Sequence, residues 1–235
     1  MVLGRELALS PLVLVDAVDE AGARLAPAES ELAARFKHPK RRSEWILGRL
    51  AAKAALVRAL AARGETVAPE DLAVLVGPDG APEPFRVRGS DREPLDIGLS
   101  VTHGHGLGAA WALEGGLPGI DLERVRERPE GTFRFYLDAD ERAPLAALEG
   151  PARDRAAVLL WSLKEAAWKT LRPHRGVGLV DFEVLGVELA ANAGSVRVTP
   201  RKAGVELARE RGVVALEARW RIEGDLVFAW ARDVS

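Results

Sequence analysis

Two long helix-forming stretches, each followed by a run of short strands, set the folds open to this chain. The first opens at Pro39 and reads as helix to about residue 63, with Gly64 just past its end. Proline at a helix start and glycine beyond its last turn mark such boundaries. The stretch is alanine-rich, and Ile46, Leu50, Ala54, Val57 and Ala61 make an apolar stripe along it. The second opens at Pro151 and reads to about residue 171. A shorter helix is expected at 27–36 and a buried strand at 12–15. Strands are expected at 71–76, 84–87, 96–102, 107–113 and 119–123 after the first long helix. After the second they are expected near 179–189, 196–199, 213–222 and 226–232. Residues 89–94 read as loop and 124–150 as charged, irregular chain. Helices combined with hairpin-connected strands give an α+β class.

An internal echo links the two helices. Trp45, Arg49 and Lys53 have the spacing of Trp161, Glu165 and Lys169. Each half has the length of a small domain, so the chain reads as 1–116 and 117–235. Two similar α+β halves packed as a pseudo-dimer are the expectation.

The composition removes several chemistries. There is no cysteine, which excludes disulfides, thiolate metal sites and cysteine nucleophiles. Four histidines without metal-like spacing argue against zinc. Magnesium or manganese, held by oxygen ligands, stays open. A net charge of −2 provides no global field to steer a polyanion, so nucleic acid is not an expected partner. The apolar run near the start is too short and interrupted for a signal peptide or a membrane span. A cytoplasmic protein is expected, with no membrane partner.

The chemistry-bearing residues fall in four places. Trp161, Glu165, Trp168 and Lys169 share one helix face, since helical neighbours are three and four apart. Indoles beside a charge pair suit the wall of a site, although Glu165 and Lys169 also form an ordinary i,i+4 pair. Asp121 and Glu123 lie at i and i+2 on a strand and point to one face. Two like charges side by side fit a solvated face or a shared cation. Glu165 would complete a three-carboxylate site of the kind that holds magnesium against phosphates. Ser100 and Thr102 share a face at the end of a strand, and His103 follows at a glycine-flanked turn. Such a strand end serves either as a phosphate grip or as a polar hairpin cap. Arg42, Arg49 and Lys53 line up beside the apolar stripe of the first long helix, as a solvated rim or a phosphate clamp.

Taken in order, Ser100-x-Thr102-His103, Gly119-x-Asp121-x-Glu123 and Trp161-x-x-Lys164-Glu165-x-x-x-Lys169 resemble the Sfp-type 4′-phosphopantetheinyl transferases. The basic stretch from Arg41-Arg42 to Lys53, with Gly48-Arg49 inside it, is similar to that family's N-terminal segment. The resemblance covers roughly residues 36–170. It implies two α+β halves with coenzyme A in the cleft between them, acting as a monomer. It implies transfer of the phosphopantetheine arm of coenzyme A to a serine of an apo acyl or peptidyl carrier protein, releasing 3′,5′-ADP. Asp121, Glu123 and Glu165 would bind magnesium, with manganese as an alternative. Lys169 would be the general base or a phosphate contact, with Glu123 as the rival base acting through a metal-bound water. Arg42, Arg49, Lys53, Ser100, Thr102, His103, Lys164 and Lys169 would bind coenzyme A. The chain departs from the family at Gly80-Ala81-Pro82, where alanine stands for a frequent lysine; Arg86 or Arg88 is the expected substitute.

Two other readings use the same residues. Carboxylates, magnesium and a lysine also serve a metal-dependent nuclease, against which the slightly acidic charge weighs. A binding module without turnover is the third, against which the full set Asp121, Glu123, Glu165 and Lys169 weighs. Arg124, Arg126 and Arg128 are expected to be exposed in 124–150 and to meet an acidic carrier protein.

Overall fold

The computed structural model describes residues 12–16, 24–172 and 176–234. Most of the apolar start, expected to be neither signal nor membrane span, lies outside them. Among the described residues no helix is long and apolar enough to cross a membrane. The fold is α+β, and the chain divides into two compact units, Met1–Gly116 and Leu117–Ser235.

The first unit runs β1 (Val13–Val15), α1 (Pro27–Ala34), α2 (Pro39–Ala62), β2 (Leu72–Val76), β3 (Pro82–Arg88), β4 (Asp91–Pro94), β5 (Gly98–Gly104) and β6 (Leu107–Leu113). Its strands make two antiparallel sheets, β1-β6-β5 and β2-β3-β4. The long helix α2 lies on the first sheet and buries Ala51, Ala52, Ala55 and Leu56 against Leu99 and Ala110. Small residues on the helix permit a close approach. At Gly108 a Cβ would come within 2.3 Å of the Leu47 carbonyl carbon. The strands β5 and β6 are joined by His105-Gly106, both with positive φ (57° and 80°), as a tight two-residue hairpin needs. The loop expected at 89–94 contains β4, an exposed edge strand too polar to stand out by alternation.

The second unit runs β7 (Pro118–Arg124), α3 (Ala139–Ala146), α4 (Gly150–Thr170), β8 (Phe182–Val184), β9 (Ala193–Pro200), α5 (Ala203–Glu210), β10 (Ala215–Glu223) and β11 (Leu226–Val234). One antiparallel sheet of order β7-β11-β10-β9-β8 carries α4 on its face. Leu159, Leu163, Ala166 and Ala167 of α4 are fully buried with Phe182, Ala218 and Val227 of the sheet. Two helices, α3 and α5, stand where the sequence pattern suggests no helix. Asp138 and Glu141 cap α3 reciprocally, each side chain accepting from the other's backbone N–H.

The units share a strand, a short helix and a long helix in that order, and a closing hairpin whose last strand pairs with the first; between them stand three strands in the first unit and two strands and a helix in the second. They also share a buried ion pair. Lys53 Nζ lies 2.7 Å from Glu29 Oε2 and donates to the Arg24 carbonyl at 2.7 Å. Glu29 in turn accepts from the N–H of Ala26 and of Val74 in β2. In the second unit Lys164 pairs with Glu141 and donates to the Tyr136 carbonyl. Glu141 accepts from the N–H of Asp138 and of Val184 in β8. Lys53 is therefore the counterpart of Lys164, and the sequence echo that matches it to Lys169 has the wrong register. Lys53 and Lys164, both expected to contact coenzyme A, serve the fold in this structure. Both ammonium groups are buried, at 1% and 0% exposure, and spent on a carboxylate and a carbonyl. A buried charge needs such partners, and these lysines tie each long helix to the short helix and strand beside it.

Candidate active site

The second unit builds its site where β7 lies on α4. Gly119 makes this possible, because a Cβ there would stand 1.9 Å from the Ala166 carbonyl oxygen and 2.4 Å from Thr170 Oγ1. Two residues along, on the same face, Asp121 meets the helix. Lys169 Nζ lies 2.9 Å from Asp121 Oδ1 and donates to the Ile120 carbonyl at 3.1 Å. Glu165, one turn back, has Oε2 3.7 Å from the same ammonium. Glu123 stands further along β7, with Oε2 3.6 Å from Arg128 Nη2. Asp121 Oδ2 is buried and has no hydrogen-bond partner.

The charges act on one another. Burial pushes the Glu165 carboxyl up, Lys169 opposes this, and the nearby Asp121 and Glu123 charges push it further up. For Lys169 desolvation acts downward, but Asp121, Glu165 and Glu123 outweigh it and hold the amine above its ordinary value. Lys169 is thus an ammonium that counters three carboxylates.

An aromatic wall adjoins this cluster. The Arg128 guanidinium lies 4.6 Å over the Trp161 ring, and Trp161 meets Tyr136 edge to face at 5.0 Å. Trp168 does different work, donating its indole N–H to the Val177 carbonyl at 3.0 Å. Of the helix face expected from the sequence, Trp161, Glu165 and Lys169 border the site and Trp168 secures the chain after α4.

Among the described residues no three acidic or histidine side chains are gathered closely enough to cage a metal ion. The carboxylates nearby still offer oxygen ligands of the kind such an ion takes. Asp121 has a buried oxygen with no hydrogen-bond partner, and burial, joined by the charges of Asp121 and Glu123, pushes the Glu165 carboxyl up. A divalent cation with oxygen preference answers both.

The residues expected in the first unit fall on α2 and β5. Arg42 is exposed in the first turn of α2. Arg49 is buried, with its guanidinium 4.6 Å over Trp45, and burial lowers its pKa against the pull of Glu29. Its Nε has no hydrogen-bond partner. Ser100 and Thr102 are buried on one face of β5, and His103 is exposed. A Cβ on Gly48 would stand 3.0 Å from His103 Cδ2, so this glycine lets the imidazole lie against α2.

Two expectations change. Arg128 is not an exposed docking cation; its side chain is 13% exposed and engaged with Trp161 and Glu123. Arg124 is exposed but paired with Asp225 at 2.8 Å, and Arg126 is exposed. Arg86, the expected substitute for a lysine at Ala81, pairs with Glu65, whereas Arg88 is exposed. The tie between Arg128 and Glu123 has no signal in the sequence, because nothing in a charged run tells which arginine folds back.

Residues 118–222 match the family model of the 4′-phosphopantetheinyl transferase superfamily. The matched span holds Asp121, Glu123, Glu165 and Lys169 and lies within the second unit. No curated protein matches the chain. Among solved structures, the holo-ACP-synthase from Plasmodium yoelii is 19% identical, covering 51% of this chain and 94% of its own, with a TM-score of 0.41. The apo-ACPS structure from Chronobacterium ammoniagenes is 21% identical, covering 52% and 99%, with a TM-score of 0.43. The ACPS-CoA complex from the same organism is 20% identical, covering 52% and 99%, with a TM-score of 0.41. Each is a distant likeness that spans about half of this chain.

Proposed function

We propose that this protein is an Sfp-type 4′-phosphopantetheinyl transferase. It moves the phosphopantetheine arm of coenzyme A onto a serine of an apo carrier protein and releases 3′,5′-ADP. The observation that carries the reading is the convergence of Asp121, Glu123, Glu165 and Lys169 where β7 lies on α4, within the span that matches the superfamily model. The recurrence of the helices and the closing hairpin in two units of one chain favours the two-halved, Sfp-type form. The resemblance also implies a cytoplasmic monomer.

The chemistry follows from the groups present. The serine oxygen forms a bond to the phosphorus that bears the pantetheine arm, and the bond from that phosphorus to the ADP oxygen breaks. Serine is a weak nucleophile and needs a base within reach. Lys169, fixed 2.9 Å from Asp121 Oδ1, is assigned as the contact to phosphate oxygen. Glu123 takes the serine proton. Asp121 fixes Lys169 through its Oδ1 and keeps its second oxygen for a cation. Magnesium held by Asp121, Glu123 and Glu165 would neutralise the pyrophosphate as the leaving group gains charge. Arg42, Arg49, Ser100, Thr102 and His103 of the first unit are assigned to the phosphates of coenzyme A.

The test is the rate of 3′,5′-ADP release with coenzyme A and an apo carrier. Glu123→Gln and Lys169→Met should each lower kcat by about 100-fold or more. Rates within threefold of the wild type in both variants would remove Glu123 as the base and Lys169 as the phosphate contact.

A further inference from the structure

Arg128 is placed as no sequence pattern foretells. It lies in the run after β7, outside any helix or strand, yet its guanidinium rests on the Trp161 ring and faces Glu123. The stack is supported from behind, since Tyr136 is buried at 1% exposure and meets Trp161 edge to face. Burial raises the Tyr136 hydroxyl to about 12, outweighing the opposing Arg128 charge. A groove of about 490 Å³ opens here, lined by Arg128, Phe135, Tyr136 and Trp161 among others.

The contact with Glu123 is incomplete. Arg128 Nη2 stands 3.6 Å from Glu123 Oε2, beyond hydrogen-bond reach. Nε and Nη2 are both buried without a hydrogen-bond partner. Leaving two guanidinium nitrogens dry and unmatched is costly unless the arrangement is completed at another stage of the cycle. Catalytic hydrogen bonds are often long in free enzymes and tighten when substrates arrive. A movement below about 1 Å would bring Nη2 into bonding distance of the Glu123 carboxylate.

We propose that Arg128 is a positioning residue for Glu123. Trp161 holds the guanidinium plane, and the guanidinium aims the carboxylate that receives the serine proton. Lysine cannot replace it, because a point charge neither stacks flat on an indole nor presents a fork of donors. This role rests on the transferase reading above.

The experiment compares the wild type with Arg128→Ala and Arg128→Lys, following holo-carrier formation with coenzyme A and magnesium. Arg128→Ala should lower kcat by about 10- to 100-fold, as loss of an outer partner of a catalytic ligand does. Its KM for coenzyme A should stay within about twofold and its melting temperature close to that of the wild type. Added methylguanidinium should restore part of the lost kcat, and Arg128→Lys should remain impaired. A purely packing role would show as a lower melting temperature and no response to methylguanidinium, and it would overturn the proposal. So would a kcat for Arg128→Ala within twofold of the wild type. If the wild type itself loads no carrier, the transferase reading falls and the role of Arg128 falls with it. An active wild type with an indifferent Arg128→Ala removes only the latter.

Discussion

At Gly119 a missing side chain decides where two charges sit. A methyl there would stand 1.9 Å from the Ala166 oxygen and 2.7 Å from the Thr170 nitrogen, both backbone atoms that cannot rotate away. Gly119→Ala must therefore lift β7 from α4, and Asp121 lies on the lifted strand. The variant should be less stable by about 3 kcal/mol in denaturant unfolding. It should also transfer slowly at temperatures where it remains folded, because the contact between Asp121 and Lys169 would lengthen. Full activity in a folded Gly119→Ala protein would show that the close approach serves packing alone. Asp121, Glu123, Glu165 and Lys169 are legible in the sequence, since residues two apart on a strand and four apart on a helix must share a face. The partners of Lys53, Lys164 and Arg128 are not. Each side chain reaches a segment distant in the chain (Glu29, Glu141 and Trp161 respectively), and spacing says nothing of such contacts.

At the scale of elements, the buried ion pairs attach the short helices to the long ones. The pair of Lys164 and Glu141 is fully buried, so removing one partner leaves a charge stranded in the core. Lys164→Met should cost about 3–5 kcal/mol by denaturant unfolding. Glu141→Leu should cost more, because it also orphans the N–H groups of Asp138 and Val184. Equal losses in the two variants would mean that those N–H groups find other acceptors. The elements themselves divide by how they bury their residues. The long helices and the strands β5, β6, β10 and β11 are legible from periodicity, because each shows one face to a core. The helix α3 is hidden in a charged run, although Asp138 and Glu141 carry the spacing of a capping box. The strand β4 has every residue exposed and leaves no apolar pattern to find.

At the scale of the molecule, the helices and the closing hairpin recur in both units, whereas the acidic cluster does not. In the register set by Lys53 and Lys164, Ala54 stands where Glu165 does and Arg58 where Lys169 does. The strand β1 is Val13-Leu14-Val15, with no carboxylate to answer Asp121. The first unit therefore keeps the scaffold without the acidic set. Titration with manganese should give one ion per chain, and Asp121→Asn should abolish that binding. Two equivalent ions, or binding unchanged in Asp121→Asn, would contradict the assignment to β7 and α4. The most direct test of the transferase reading is the intact mass of an apo carrier protein incubated with this protein, coenzyme A and magnesium, beside a sample with EDTA. The expected result is a gain of one phosphopantetheine arm on a single serine, and only where the metal is free. A carrier whose mass never changes, across fatty-acid, polyketide and peptide-synthetase carriers, would contradict it.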